Sequence, residues 1–578
     1  MIELAPLERA AAGRTPERAA LAFAALQALE RGELFAAGVQ PQEGFARLAR
    51  TLAAVFGDPA LMLSDGERWT LAFYGSLLNS LFAAAGVWPE AAALFTLDSP
   101  HAGPVAPEFA QALGLIATSP VLTARGADRR ERLLWDAEGL EGQPLPGGLA
   151  AVTLASAAWM SCSYAAGPEK HALKPVLNRA FRRLLDELGL RDLPPPQAEA
   201  RPERPTLLVM AEVIHAAHVQ YRYFGQYLRQ LRTRFRLVLV APRKELGAAV
   251  EALFDEVFAF DPAAVDFAPE VLRFVGATAP DIVFWPSVGM ARWGPLLANL
   301  RLAPLQMTAL GHSASTFIPA IDYYLTEEGY VSDPGLFSER LLLLPDATLR
   351  FERPPGYARV APQIRETADP VRIAVPSNVL KLNPAFLQML GRVRREAGRP
   401  VQLHLFPNAP LLTVSSLRAA AGPLLEGAVV YPRLSPQAYL EALNACDMVL
   451  SPWPFGGLHS VVDALRQGLP VVAMDRPEPH GRTDAMILRR LGMPDWLVAR
   501  TEDEYLGAAL RLIGDDAVRL EASRAALARD VDRVMFGDAE TPLGSDVVDL
   551  VWAVFCRHEA IQADGRRAWR LADLATLP

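Results

Sequence analysis

Lys381, in VRIAVPSNVLKLNPAF, stands just ahead of Asn383 and Pro384, residue types that cap a helix and occupy its first position. A lysine at that point, where an apolar β-type run ends, can hold phosphate oxygens together with the amides of the following helix. The stretch DMVLSPWPFGGLHSVVDALRQG repeats the arrangement, with an apolar run to about Leu450, a Pro- and Gly-rich turn, and a helix starting between Leu458 and Ser460. Gly456 and Gly457 allow close backbone approach, the helix start offers unpaired N–H groups and partial positive charge, and Asp463 follows in its first turns. This is chemistry for a diphosphate gripped without a metal ion. The D-x-D pair that metal-assisted sites place just after a strand occurs here as Asp530 and Asp532, inside a helix-period run, and reads as a solvated face.

Three of the nine histidines fall at strand-to-helix loops or edges: His218 in MAEVIHAAHVQYRYF, His312 beside Gly311 in ALGHSAST, and His459 in FGGLHS. Each can serve a reacting group or be a satisfied structural histidine. His215 and His218 share an i, i+3 spacing, but the local sequence supplies no further zinc ligands. The loop DRPEPHGRTDA carries His480 and Arg482 ahead of a helix expected to be capped by Thr483.

The elements that must position these side chains follow from the hydrophobic period. Residues 1–200 show helix-period runs with Pro and Gly breaks, and no 34-residue repeat, predicting an all-α domain. The uncharged run GGLAAVTLASAAWMSCSYAAG within it is rich in small residues and reads as a buried helix rather than a membrane span. The segment 193–205, LPPPQAEARPERP, reads as a linker. Short apolar runs then alternate with amphipathic helices: TLLVM, RLVLV, VFAF, DIVFW and DYYLT. A proline-rich break at 350–370 precedes a second series, VRIAV, VQLHLF, AVVY, DMVLS and PVVAM. Such alternation predicts two parallel, doubly wound α/β domains, 201–365 and 366–578, the latter with the C-terminal helices, and a cleft between their strand ends.

The chain has 578 residues, ample for several domains, with 51% hydrophobic and 21% charged residues. A net charge of -8 argues against a nucleic-acid surface. Three scattered cysteines suit buried thiols in a reducing compartment, and MIELAPLERA lacks the basic start of a signal peptide, so a cytoplasmic protein is expected.

These motifs, in this order, resemble the bacterial cytoplasmic N-glycosyltransferases that modify high-molecular-weight adhesins, relatives of the O-linked N-acetylglucosamine transferases. The resemblance begins in MSCSYAAGPEKHALKPVLNRAFRR, similar to that family's Cys-Ser-Tyr segment, and runs to LGMPDWLVARTEDEYLGAALRL and MFGDAETPLG near the end. It implies a GT-B fold, with two Rossmann-like domains behind an all-α domain. It also implies metal-free, inverting transfer of a hexose, usually glucose, from a UDP-sugar to Asn in Asn-X-Ser/Thr sites of an adhesin or other surface protein. Transfer to Ser/Thr or to another acceptor is the alternative, and a nucleotide-sugar-binding scaffold with reduced catalysis a third. By motif, Lys381 matches the lysine on the donor diphosphate, and His312, with Gly311, a donor-site histidine. Phe455, Gly456, Gly457, His459 and Asp463 fall in the UDP loop, with Asp463 near the ribose, and His218 matches a histidine facing the transfer site. Two departures stand out: the family's Phe-Gly-Asn-Thr-Asn-Gly is FGGLHS here, and YPRLSPQAY lacks a histidine before its proline.

Overall fold

The computed structural model describes residues 1–101, 108–195, 203–348, 350–353, 359–422, 424–537, 540 and 543–577. Residues 196–202 of the expected linker, 354–358 of the second break, and 538, 539, 541 and 542 of the MFGDAETPLG motif lie outside them.

The N-terminal part is helical from Leu4–Ala12 through Leu173–Glu187. In Leu173–Glu187 the buried Leu173, Val176, Leu177, Ala180, Phe181, Leu184 and Leu185 recur at helical spacing and form one stripe. That stripe has no closed core of its own: Trp159, Leu177 and Phe181 share a single apolar cluster with Leu208, Val238 and Trp285 of the first sheet. The later helices are therefore fused to one face of that sheet, while the earlier ones form a separate cluster that takes in Leu412 of the helix Leu411–Ala421. The small-residue run became the helix Leu149–Ser161, whose 13 residues span about 20 Å, short of the ~30 Å of a bilayer core. No helix among the described residues is long and apolar enough to cross a membrane.

The first sheet is built from β1 (Thr206–Met210), β2 (Arg236–Pro242), β3 (Glu256–Phe260), β4 (Ile282–Trp285), β5 (Leu305–Ala309), β6 (Tyr323–Glu327) and β7 (Arg340–Leu344). After the short β8 (Phe351–Glu352) comes the second, with β9 (Val371–Val375), β10 (Val401–Leu405), β11 (Val429–Val430), β12 (Met448–Leu450), β13 (Val471–Met474) and β14 (Val498–Ala499). β15 (Phe536–Gly537) pairs with β8, and β16 (Ala568–Arg570) ends the series. The orders are β16-β7-β6-β5-β4-β1-β2-β3 and β11-β10-β9-β12-β13-β14, with parallel pairing throughout. Strands covered by helices on both faces read as continuous Val/Leu/Ile runs, which is why most were visible in the sequence.

One expectation is corrected. The C-terminal segment does not stay with the second sheet: the helix Asp546–Ala563 packs on the helix Val219–Arg232, and β16 adds to the outer edge of β7. Trp569, fully buried there, gives this strand its apolar anchor. The unit expected at 366–578 thus hands its end back to the first sheet.

In each sheet the strand order reverses once, between β1 and β4 and between β9 and β12. Loops leaving adjacent strands diverge there and open a crevice at the strand C-terminal ends. His218 follows β1 and the loop around Ser287 follows β4; Lys381 follows β9 and the loop 451–458 follows β12. Both crevices therefore contribute to one site.

Candidate active site

A cavity of about 680 Å³ lies where the two sets of loops meet. Of the nine residues singled out from the sequence, Gly311, His312, Lys381, Phe455, Gly456, Gly457, His459 and Asp463 line it. His218 does not, although its neighbours Ala217 and Val219 do. The charged lining is Arg222, Lys381 and Asp463, a cationic balance suited to an anion.

Lys381 ends the short turn Val379–Lys381, with Asn383 capping the helix Pro384–Glu396 through Phe386 N and Pro384 in its first position, as the sequence predicted. Its ammonium donates to Gly456 O and lies 4.9 Å from the centre of the Phe455 ring. Burial pulls its pKa down to about 8, with Asp484 opposing the shift. The lysine thus bridges the loops after β9 and β12.

The loop 451–458 differs from its sequence reading. The amides expected to meet a ligand are partly used internally: Asp484, 2% exposed, accepts Gly457 N and Leu458 N, each at 2.7 Å, and also Ser451 Oγ. Gly456 N donates to His480 O at 2.8 Å. Gly456 is required by packing, since a Cβ there would strike Thr483 and Asp484. Leu458 holds φ +57, an unfavourable value for a branched side chain, fixed by its bond to Asp484. What remains for an anion is the first turn of the helix His459–Arg466, where His459 N and Ser460 N have no acceptor among the described residues. Replacing Asp484 by Ala would strand two amides and the hydroxyls of Ser451 and Thr483, at about 1–3 kcal/mol for each group left unsatisfied. Urea denaturation should show a loss of at least about 3 kcal/mol for Asp484→Ala and a smaller one for Asp484→Asn, which keeps an acceptor oxygen. Wild-type stability in both would remove this account of the loop.

A second correction concerns 475–485. The helix begins at Pro479, after Glu478, so Thr483 lies within it and His480 in its first turn. Proline, with φ already helical and no N–H to lose, starts the helix earlier than the threonine could. His480 is buried, donates through Nδ1 to Ser313 O at 3.0 Å, and has Nε2 2.7 Å from Glu478. Lys170 of the helical part reaches the same carboxylate at 2.6 Å. Burial pushes the Glu478 carboxyl up, but His480 and Lys170 outweigh it and leave a pKa of about 2.

The helical part also enters the cavity directly. Tyr164, from the Cys-Ser-Tyr segment, stacks on Phe455 at 4.7 Å, and Phe455 stacks on His480 at 4.7 Å. His312 is buried, its Nε2 3.0 Å from Ser163 Oγ and 3.4 Å from Lys174 Nζ. Burial, then Lys174 and His480, holds its pKa well below the ordinary value, so the ring is neutral. Gly311 fits tightly under Pro286 O and Gln220.

His218 caps the helix Val219–Arg232: its Nδ1 accepts Gln220 N at 3.2 Å. An imidazole accepting at Nδ1 carries its proton on Nε2. Burial lowers its pKa to about 4, helped by His215 and Arg222. It is a neutral hydrogen-bond donor rather than a base.

Among the described residues, no three His, Cys, Asp or Glu side chains gather as a metal-ligand set. Sequence reasoning missed Arg222, Gln220, Tyr164, Ser460 and Asp484. Arg222 sits one helical turn beyond His218, and that spacing was its available signal.

No protein-family model matches the sequence. Among curated proteins, the UDP-glucose:protein N-beta-glucosyltransferase of Actinobacillus pleuropneumoniae serotype 5b is 33% identical over 396 residues, covering 67% of this chain and 63% of that protein. The chain is related to that glucosyltransferase. The match spans less than two thirds of the relative's length. The Petunia hybrida protein described as a probable UDP-N-acetylglucosamine–peptide N-acetylglucosaminyltransferase, SPINDLY, is 27% identical over 233 residues, 37% of this chain and 24% of its own. A solved Thermobaculum terrenum O-GlcNAc transferase mutant superimposes with a TM-score of 0.60 at 20% identity, covering 95% of this chain and 99% of that one. The fold is GT-B, with two parallel Rossmann-like sheets behind an N-terminal helical region.

Proposed function

We propose that the chain is an inverting, metal-independent glycosyltransferase that moves glucose from UDP-glucose to Asn side chains in Asn-X-Ser/Thr sites of proteins. The observation that carries this reading is the anion site at the joined crevices: Lys381 and Arg222 beside the first turn of His459–Arg466. The relation to a UDP-glucose:protein glucosyltransferase supports the choice of donor and of a protein acceptor. Asp463, one turn further along that helix, is assigned to the ribose, with His312, Gly311, Phe455, Gly456 and Gly457 lining the donor's path.

In the proposed step the amide nitrogen attacks the anomeric carbon in line. The bond from that carbon to the phosphate oxygen breaks, its electron pair stays with UDP, and the amide gives up a proton to solvent water. Lys381, Arg222 and the helix amides stabilise the charge that gathers on the leaving group. His218, from the other crevice, donates through Nε2–H on the transfer side. The acceptor is placed in the cytoplasm, as a surface protein such as an adhesin before export.

The test is incubation of the purified chain with UDP-glucose and other UDP-sugars, an Asn-X-Thr peptide and EDTA, read by mass spectrometry. A hexose on Asn in the presence of EDTA is expected. A strict Mn²⁺ or Mg²⁺ requirement would remove the metal-free mechanism, sugar on Ser/Thr would replace the acceptor, and bound donor without turnover would favour a scaffold.

A further inference from the structure

His459 stands where the family resemblance expects an asparagine, and its setting is unusual in itself. It opens the helix His459–Arg466, its ring lies 4.3 Å from that of Phe351, and it lines the cavity while only 6% exposed. Neither Nδ1 nor Nε2 has a hydrogen-bond partner among the described residues. Two buried, unpartnered nitrogens are costly, and native side chains in that condition call for an explanation. A ligand that brings hydrogen-bond acceptors into the cavity supplies one.

Resting on the donor reading above, we propose that His459 binds a proton together with UDP, completing the positive charge that the departing diphosphate needs. The charged and titratable groups around it are Arg222 and His218 at the start of the helix Val219–Arg232, Lys381 at the end of its turn, and Asp463 four residues along its own helix; Phe351 supplies an apolar wall. A UDP-sugar carries one negative charge on each phosphate, which Arg222 and Lys381 face while Asp463 offsets part of their charge. When the glycosidic bond breaks, UDP keeps the electron pair and its terminal phosphate gains a further charge near neutral pH. Protonated, His459 matches that charge and both its nitrogens donate. The proton comes from solvent.

Before the ligand arrives, burial, then Arg222, Lys381 and His218, holds the ring well below its ordinary pKa, so it is neutral. The diphosphate reverses the local field, raises the pKa and draws the proton in. Between the free and bound pKa values, UDP affinity therefore falls as pH rises, by up to about tenfold per pH unit. A UDP-sugar, lacking the extra charge, draws less.

The experiment is calorimetric titration of the full chain with UDP at one pH near neutrality in HEPES and in Tris, whose ionisation heats differ, giving protons taken up per UDP. UDP's terminal phosphate itself titrates near neutral pH, so the readout is the difference between wild type and His459→Asn. Wild type should take up about one proton more per UDP than the variant, and a smaller excess with UDP-glucose. The His459 ring resonances of the wild-type chain, followed by NMR, should move to the protonated form on saturation with UDP, which decides the matter even if the variant misfolds. Equal proton uptake in a folded His459→Asn protein, or a ring that stays neutral in the UDP complex, overturns the proposal while leaving the donor reading intact. Failure of wild type to bind UDP overturns both.

Discussion

Lys381→Ala should weaken UDP binding about ten- to hundred-fold, the effect of removing a charge-assisted phosphate contact worth roughly 1.5–3 kcal/mol. The structure sharpens this expectation in two ways. The ammonium is bonded to Gly456 O and set against Phe455, so its position is fixed before any ligand arrives and little entropy is lost on binding. Its pKa is also depressed to about 8 by burial. Above that pH the free lysine is neutral, a diphosphate must bind together with a proton, and wild-type affinity should fall by up to about tenfold per pH unit. In Lys381→Ala the lysine's part of this alkaline limb should vanish, leaving weak binding whose remaining fall with pH is the shallower one set by His459. Calorimetry from pH 7 to 10, alongside thermal melts, checks both parts. Wild-type affinity in the folded variant would mean that the lysine only ties the two loops together.

How much of this site could be seen in the sequence depends on the length of chain over which each signal acts. Lys381, Asn383 and Pro384 were legible because capping is decided within a few residues, and the structure places the helix start where those residues require it. The same local logic misjudged Thr483, because Pro479 starts the helix one turn earlier. Asp484 was illegible as a functional residue. It satisfies amides 26 and 27 positions away, and nothing nearby reveals that its carboxylate turns back into the loop after β12. That contact changes the chemistry of FGGLHS from a row of free amides to a loop closed on itself, with the anion site moved to the helix's first turn.

The fold was legible for most strands that are uniformly apolar, although β7, RLLLL, was passed over despite its four leucines. β5, LQMTA, escaped notice because Gln306 and Thr308 interrupt its apolar pattern, although both are buried and bonded to backbone carbonyls, Gln306 to those of Leu300 and Ala320 and Thr308 to that of Trp285. β16 is three residues long and joins a strand more than 220 positions earlier. No local period can announce such a pairing. The fusion of the later helices to the first sheet was hidden for the same reason, since Trp159 and Leu177 look like any helix core until Trp285 and Leu208 complete the cluster.

His218→Asn should separate two jobs that one side chain performs. Asparagine is a good helix cap and can accept the amide of Gln220 as the imidazole does, so the variant should keep its fold while losing the Nε2–H. His218→Ala loses both, and should cost about 1 kcal/mol of stability in addition. If the Nε2–H serves the transfer step, kcat should fall about 10²- to 10³-fold in either variant, the usual effect of deleting one donor aimed at developing charge. UDP affinity should stay within a few-fold, because Lys381 and the turn at His459 hold the diphosphate. The pH profile is the decisive readout. A base with an ordinary histidine pKa would impose an acid limb near pH 6.5 that disappears in the variant. With a pKa of about 4 and its proton already on Nε2, His218 should impose none, and the rate of His218→Asn should run parallel to wild type from pH 5.5 to 8. Loss of an acid limb in the variant would make His218 a base and reverse the tautomer argued here. A loss of UDP binding in proportion to kcat would make it a donor ligand, and the division of labour between the two crevices would then have to be redrawn.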